Sequence, residues 1–175
     1  MRVLGIDPGT RLTGYGCIDG SLTSLVAPRL VEAGVVRLVR GGQTPSLASR
    51  LAELERDIAE LIELIKPDLI GIESMFTNPR HPGTVIPMAH ARGVILLVAQ
   101  RSGAELVEVP PAEVKRSIAG SGSAKKDQMQ ASVQRLLGLP GPPRPADVAD
   151  ALAVAICVLR RASTGRLESE ANYDP

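Results

Sequence analysis

Cysteine and histidine are scarce in this sequence, with two of each among 175 residues. Cys17 and Cys157 lie in separate apolar segments, so they predict neither a disulfide framework nor a zinc site. His81 is in a loop beside Pro82 and His90 is in an apolar segment, and neither has the spacing of a metal-ligand pair. Both histidines are interpreted as structural or surface residues, and the unpaired thiols lead us to expect a cytoplasmic protein.

Long apolar runs are also missing. No segment approaches the roughly 18 apolar residues of a membrane span, and the opening residues MRVLGID carry too short an apolar run for a signal peptide. We therefore expect no membrane partner. With 44% hydrophobic residues and no repeat or linker, the chain can form one core. We predict a single domain over residues 1–162 and a disordered tail over 163–175.

A large excess of one charge is absent as well, because the net charge of +1 excludes a globally basic nucleic-acid binder. The charges are nevertheless unevenly distributed. Residues 45–75 carry three basic and seven acidic side chains, whereas residues 110–145 carry six basic and two acidic ones. The second segment predicts one basic face that could meet phosphate groups. The alternative is that both segments are ordinary solvent-exposed helix faces.

The pattern of apolar residues predicts an α/β fold. The predicted strands cover residues 2–7, 13–19, 30–39, 69–73 and 105–109. The predicted helices run from Thr44-Pro45, with Thr44 as the N-cap, to Lys66-Pro67, over 84–102, 111–119 and 124–137, and from Pro145 to about Arg161. Three antiparallel strands, followed by strands that alternate with helices, predict a mixed five-stranded sheet flanked by helices.

Four acidic residues occupy positions that suit a shared site. Asp7 and Glu73 each end a predicted buried strand, and neighbouring strand ends form a crevice in this type of sheet. Asp147 and Asp150 are three residues apart on one face of the last helix, which is apolar nearly all round. The structural alternatives are turn caps for the two strand-end acids and stabilisation of the helix N-terminus by Asp147.

A metal ion is the counter-charge that these carboxylates predict, because burying a carboxylate without a partner is costly. No basic residue follows in the last helix until Arg160, and no cluster of His or Cys accompanies the acids. Oxygen ligands select a hard cation, so we expect Mg²⁺ or Mn²⁺ rather than zinc. Such sites typically hold two metal ions about 4 Å apart, which stabilise the attacking and leaving oxygens of a phosphoryl transfer.

Five stretches resemble the RuvC-type Holliday junction resolvases: GIDPGTRLTGYG, PDLIGIESMF, ARGVILL, VKRSIAGSGSAKKDQ and ADVADALAVA, in the family's order and at its spacing. The resemblance implies a ribonuclease-H-like fold and a homodimer that uses Mg²⁺ to nick two strands of a four-way DNA junction symmetrically, in recombination and repair. It implies a branch-migration complex of the RuvA and RuvB type as a partner. The family's catalytic, metal-binding acids fall on Asp7, Glu73, Asp147 and Asp150; some members have His in place of Asp147.

The resemblance also assigns roles to basic residues. Lys126, as a catalytic residue, and Lys115 resemble the family's basic residues near the scissile phosphate, and Arg116 and Lys125 beside them are predicted to bind DNA. Lys125 and Lys126 follow Ser123, a predicted N-cap, and so lie at the helix end that disfavours cations. A position with a local cost and no structural gain favours a functional role.

Phe76 and Arg80 are predicted DNA-binding residues in the loop after Glu73. Phe76, the only Phe in the chain, resembles the family's aromatic wedge, and stacking on an unpaired base is worth about 1–3 kcal/mol. The alternative for Phe76 is a core position. The family usually has a Lys-Asn pair soon after the aromatic residue, whereas this chain has TNPRHPGT. Arg80 is predicted to supply the cation on a different loop path, which leaves the base preference open.

The predicted helix over 84–102 is the candidate dimer interface, because it has more apolar surface than one sheet face needs. Burial of part of this surface within the monomer is the alternative. Its apolar residues are Val85, Ile86, Met88, Ala89, Val94, Ile95, Leu96, Leu97 and Val98.

Three other functions remain as alternatives. The string GIDPGT also resembles the first phosphate motif of sugar kinases and actin-like ATPases, but those proteins need two lobes and 175 residues supply one. A non-catalytic junction-binding protein would be expected to lose some of the four acids. A related nuclease with another structured substrate would not prefer a four-way junction.

Overall fold

A mixed sheet of five strands forms the centre of the fold. The computed structural model describes residues 1–21, 27–74 and 82–171. The strands are β1 (Arg2–Asp7), β2 (Leu12–Asp19), β3 (Arg29–Arg37), β4 (Leu69–Glu73) and β5 (Glu105–Val109), in the spatial order β3-β2-β1-β4-β5. The first three strands pair antiparallel, whereas β4 runs parallel to both β1 and β5. The predicted mixed five-stranded sheet is confirmed.

Helices cover both faces of the sheet. They are α1 (Leu47–Ile65), α2 (Pro82–Ser102), α3 (Pro111–Ala119), α4 (Lys126–Leu136) and α5 (Ala146–Ala171). Successive strand residues point to opposite faces, so Leu4 and Ile6 join the core under α1 and α2, while Val3 joins the core under α3, α4 and α5. Among the described residues, no helix is long and apolar enough to cross a membrane.

The start of α1 differs from the prediction. Ser46 is the N-cap instead of Thr44, because its hydroxyl accepts the backbone N–H of Ser49 at 3.1 Å. A serine in that position satisfies one of the unpaired N–H groups of the first turn, so the helix begins at Leu47. The end of α1 is as predicted, since Lys66 follows in a left-handed conformation with φ of 51°.

The start of α4 also differs from the prediction. The N-cap is Lys125 and not Ser123, whose hydroxyl pairs with that of Ser121 at 3.0 Å. The side-chain oxygen of Gln128 accepts the backbone N–H of Lys125 at 2.8 Å, which fixes the first turn. Lys126 is therefore the first helical residue, where the helix dipole disfavours a cation.

The last helix extends beyond its predicted end near Arg161. It begins at Ala146, one residue after Pro145, and continues to Ala171. The hydroxyl of Ser163 donates to the carbonyl of Leu159 at 2.9 Å, so this polar residue bonds within the helix instead of ending it. Residues 163–171, which were predicted to be part of a disordered tail, are therefore helical. Residues 172–175 lie outside the described residues, and the domain limit at residue 162 remains a prediction.

Helix α5 lies directly against the middle of the sheet because glycines face it. A Cβ atom on Gly5 of β1 would lie 2.1 Å from the backbone oxygen of Ala151, and one on Gly14 of β2 would lie 2.1 Å from the backbone oxygen of Asp147. No side chain fits at either position. The helix backbone therefore packs on the strand backbones, which brings the acidic first turns of α5 to the ends of β1 and β4.

We predict that Gly5→Ala destabilises the protein by about 1–3 kcal/mol or more, because the new methyl group would force α5 away from β1. Thermal unfolding would measure the loss. The control is Gly42→Ala, since a Cβ atom at Gly42 meets nothing within 4 Å. Equal melting temperatures for the two variants would show that α5 does not depend on this close approach.

Candidate active site

Asp7 and Glu73 lie side by side at one edge of the sheet. Asp7 ends β1 and Glu73 ends β4, and these strands run parallel with Ile6 opposite Ile72. The residues that follow this pair therefore leave the sheet at the same edge. Both carboxylates are half-buried, since apolar strand residues precede them and helices cover both faces.

Helix α5 brings two further carboxylates to this edge. Asp147 lies over Gly14, and Gly14 is the partner of Asp7 in the β1–β2 ladder. Asp150, one turn further along, lines a cavity of about 280 Å³ together with Asp7 and Glu73. The fold thus gathers the four predicted acids from β1, β4 and α5.

Burial and nearby negative charges raise the pKa of the two strand-end acids, Asp7 and Glu73. The pKa of Asp7 is raised to about 7, first by burial and then by the negative charges of Asp150, Asp147 and Glu73. Burial and the charge of Asp150 also raise the pKa of Glu73. The positive charge nearby therefore does not offset burial and repulsion at Asp7 and Glu73.

Two lysines supply part of that charge. The ammonium group of Lys126 lies 3.1 Å from a carboxylate oxygen of Asp150, and this contact raises the pKa of the lysine. Lys115 lines the same cavity, and its charge lowers the pKa of Glu73. These contacts offset the unfavourable position of Lys126 at the start of α4.

Arg116 and Lys125 are exposed and are not among the side chains that line the cavity. The contact with DNA that is predicted for them would therefore be made on the outer surface beside the cavity. Phe76 and Arg80 lie outside the described residues, as does His81. Their predicted roles stay predictions.

The donor set fits a hard divalent cation, because carboxylate oxygens with unmet negative charge are the ligands such cations prefer. Across the described residues, no three His, Cys, Asp or Glu side chains are arranged closely enough to hold a metal ion as they stand. A cation would have to draw the carboxylates together and compete with Lys126 for Asp150.

Arg92 also lies in this region, although no role was predicted for it from the sequence. Its guanidinium donates from Nε to the backbone oxygen of Glu73 at 3.3 Å and pairs with the carboxylate of Glu108. A charged residue inside the apolar stretch of α2 needs a partner. The same reasoning that singled out Asp147 and Asp150 on α5 could have found it.

Thr13 was also missed. It is fully buried on β2, and its hydroxyl donates to the backbone oxygen of Gly9 at 2.8 Å and accepts the N–H of the same residue at 3.2 Å. These two bonds close the turn that follows Asp7. A threonine in a strand of apolar residues carries no sequence signal that separates this role from ordinary strand preference.

A protein-family model for the crossover junction endodeoxyribonuclease RuvC matches residues 3–158. The chain belongs to this family. The family's enzyme from Syntrophomonas wolfei is 44% identical over 164 residues, covering 91% of this chain and 88% of the relative. The one from Frankia alni is 42% identical over 176 residues, covering 100% of this chain and 86% of the relative.

Solved structures with the same fold include a member of the family. The structure of Thermus thermophilus RuvC in complex with Holliday junction substrate gives a TM-score of 0.82 at 29% identity, covering 94% of this chain and 96% of that one. The yeast mitochondrial Holliday junction resolvase Ydc2 gives a TM-score of 0.69 at 18% identity, covering 98% of this chain and 82% of that one, a likeness of fold alone. The predicted ribonuclease-H-like fold is confirmed.

We predict that Asp7→Asn stabilises the metal-free protein at pH 8 and that the gain is smaller at pH 5. The pKa of Asp7 is about 7 in the folded chain and about 3.9 in an unfolded one. The folded state therefore binds the proton more tightly, and the wild type loses stability as pH rises from about 4 to 7. Asparagine does not titrate, so the variant escapes this loss.

Thermal unfolding with a chelator at pH 5 and pH 8 measures the effect. We expect a gain at pH 8 of at least about 1 kcal/mol, or about 2–4 °C. Glu60→Gln, which removes an exposed carboxylate of α1, is the control and should show no such pH-dependent gain. If the difference in stability between Asp7→Asn and the wild type is equal at both pH values, the pKa of Asp7 is not raised in the folded protein.

Proposed function

We propose that this chain resolves four-way DNA (Holliday) junctions by paired, symmetric nicks in strands of like polarity, in recombination and DNA repair. The observation that carries the proposal is the convergence of Asp7, Glu73 and Asp150 with Lys115 and Lys126 around one cavity. Carboxylates that bind cations, next to cations that face a phosphate, are what phosphodiester hydrolysis requires. Membership of the crossover junction endodeoxyribonuclease family supports the choice of DNA and of a junction.

Asp7, Glu73, Asp147 and Asp150 would hold Mg²⁺, for which Mn²⁺ substitutes, with two ions in each site. When bound, the ions supply the means to activate water and to offset the charge that develops on the leaving oxygen. The protein contributes to metal binding by placing several carboxylates close together at one edge of the sheet. Their unmet charge favours cation binding, and the cost of that crowding appears in the raised pKa of Asp7.

The lysines act on the DNA. Lys115 and Lys126 line the cavity, so a phosphate that approaches the carboxylates meets their ammonium groups first and loses part of its electrostatic repulsion. Arg116 and Lys125 extend the positive charge over the exposed surface beside it. Phe76 and Arg80 would contact DNA from the loop after β4, with Phe76 stacked on an unpaired base.

A two-fold homodimer through α2 would match the two-fold symmetry of the substrate. The apolar residues of α2 divide into two sets. Ile95 and Val98 belong to the core, whereas Ile86 and Leu97 are 57% and 47% exposed. Gly93 lies between the exposed pair, and a Cβ atom there would meet nothing within 4 Å. This stripe of spaced apolar and small residues would let two α2 helices approach closely.

Further partners follow from the same function. A branch-migration complex of the RuvA and RuvB type would deliver the junction, and the cytoplasm is the compartment in which we expect the protein to act. The Thermus thermophilus protein was solved with a Holliday junction substrate, which supports the junction as the substrate here.

The test of function is incubation of the purified chain with a synthetic immobile four-way junction, a flap and a duplex of matched sequence, with and without Mg²⁺. We expect cutting of the junction only with Mg²⁺. Asp7→Asn should lose more than about 100-fold in rate, since even indirect partners of metal ligands are worth about 10–100-fold. Its junction binding should persist or tighten, because a negative charge near phosphate is removed.

Asp127→Asn is the matched control, because Asp127 is exposed in the first turn of α4 and is not among the cavity-lining residues. It should cut normally. Junction binding without cutting would identify a non-catalytic binding protein. Preferential cutting of the flap would identify a nuclease with another structured substrate. Full activity of Asp7→Asn would overturn the assignment of that residue.

The dimer is tested with Leu97→Glu on α2 against Leu64→Glu on α1, since Leu64 is equally apolar and 74% exposed. We expect Leu97→Glu to sediment as a monomer at micromolar concentration and to make unpaired nicks, while Leu64→Glu stays dimeric. The paired sites should lie on one face about 30–35 Å apart, the length of a DNA turn. A wild-type monomer that nicks both strands in one binding event would contradict the dimer.

A further inference from the structure

Arg92 connects α2 to the ends of two strands. Its side chain is only 11% exposed. One nitrogen of the guanidinium donates to the backbone oxygen of Glu73, the last residue of β4, and another pairs with the carboxylate of Glu108 on β5. A rigid, planar group with several donors can hold two acceptors at once in a fixed geometry.

The backbone at Glu73 is held from two sides. On one side the N–H of Ser74 donates to the carbonyl of Val109 at 2.8 Å, which continues the β4–β5 ladder to its last pair. On the other side the Nε of Arg92 donates to the carbonyl of Glu73 at 3.3 Å. The strand ends here, so these two bonds fix the peptide from which the Glu73 side chain enters the cavity.

Arg92 is bonded to the backbone of Glu73 and paired with a different carboxylate. Its ion-pair partner is Glu108, whereas the groups that shift the pKa of Glu73 are Asp150 and Lys115, in addition to burial. Arg92 also lines a cavity of about 260 Å³ with Asp7 and Glu73, but the bond that joins it to Glu73 is made to the backbone carbonyl. Because the Glu108 side chain is 50% exposed, this ion pair contributes little to stability, and stability alone gives little reason for an arginine in the apolar helix α2.

We propose that Arg92 is a positioning residue, which fixes the peptide at Glu73 and so sets the affinity of the carboxylate cluster for divalent metal. The inference rests on the proposed function in one respect, because it takes Glu73 as a metal ligand. Helix α2, which carries the proposed dimer interface, then also holds the end of β4 at which Glu73 lies.

Four variants test this proposal. Arg92→Gln removes both contacts. Arg92→Lys keeps the charge, but its single ammonium group can reach Glu108 or the Glu73 carbonyl and cannot hold both in the arginine geometry. Glu108→Gln breaks the ion pair and leaves the bond to Glu73. Arg101→Gln is the matched control, since Arg101 is an exposed arginine on the same helix.

The readout is the melting temperature of the DNA-free protein at increasing Mn²⁺ concentration. Because metal that binds only the folded state stabilises it by RT ln(1 + [L]/Kd), fitting the rise gives the Kd, which is the midpoint of metal binding, separately from the stability without metal. We expect Arg92→Gln and Arg92→Lys to need at least about tenfold more Mn²⁺, the usual effect of losing a group that orients a ligand. Glu108→Gln should melt at a lower temperature with the midpoint of the wild type. Arg101→Gln should match the wild type in both.

A midpoint for both Arg92 variants equal to that of Arg101→Gln would overturn the proposal. So would midpoints that simply follow the loss of stability, with Glu108→Gln as impaired as Arg92→Gln. If Arg92→Gln does not fold, Arg92→Lys decides the question alone. The proposed function fails separately, if Mn²⁺ raises the melting temperature of the wild type no more than that of Asp7→Asn; in that case the inference about Arg92 falls with it.

Discussion

The close approach of α5 to β1 and β2 determines where the acidic residues of this protein meet. Gly5 and Gly14 leave no room for a side chain between the strands and the helix, so backbone packs on backbone. Asp147 and Asp150 stand in the first turns of that helix and are carried to the strand ends that hold Asp7. A helix seated one side chain further from the sheet would leave the carboxylates of α5 and of the strands too far apart to act together.

This arrangement has an electrostatic cost that the protein meets only in part. The four carboxylates repel one another and are half-buried, and the pKa of Asp7 is raised to about 7 as a result. Lys126 offsets the charge of Asp150 from the first residue of α4, a position that is itself unfavourable for a cation. Two local costs thus meet at one place, as expected where residues serve a function and not stability.

The sequence allowed much of this to be predicted, because the governing signals are local. Apolar runs that end in Asp7 and Glu73 marked strand ends, and the spacing of Asp147 and Asp150 marked a helix face. The caps at Ser46 and Lys125 depend on which nearby side chain reaches an N–H group, and they were mispredicted. The roles of Arg92 and Thr13 arise from contacts between separate elements or within one turn, which residue types alone do not reveal.

Anomalous diffraction from crystals of the wild type and Asp7→Asn soaked in Mn²⁺ would test directly whether the four carboxylates form a metal site. We expect anomalous peaks within the cavity shared by Asp7, Glu73 and Asp150, with Lys126 displaced from Asp150, and loss or weakening of these peaks in the variant. Mn²⁺ bound only elsewhere on the protein, with the pair of Lys126 and Asp150 intact, would contradict this expectation. So would undiminished peaks in Asp7→Asn.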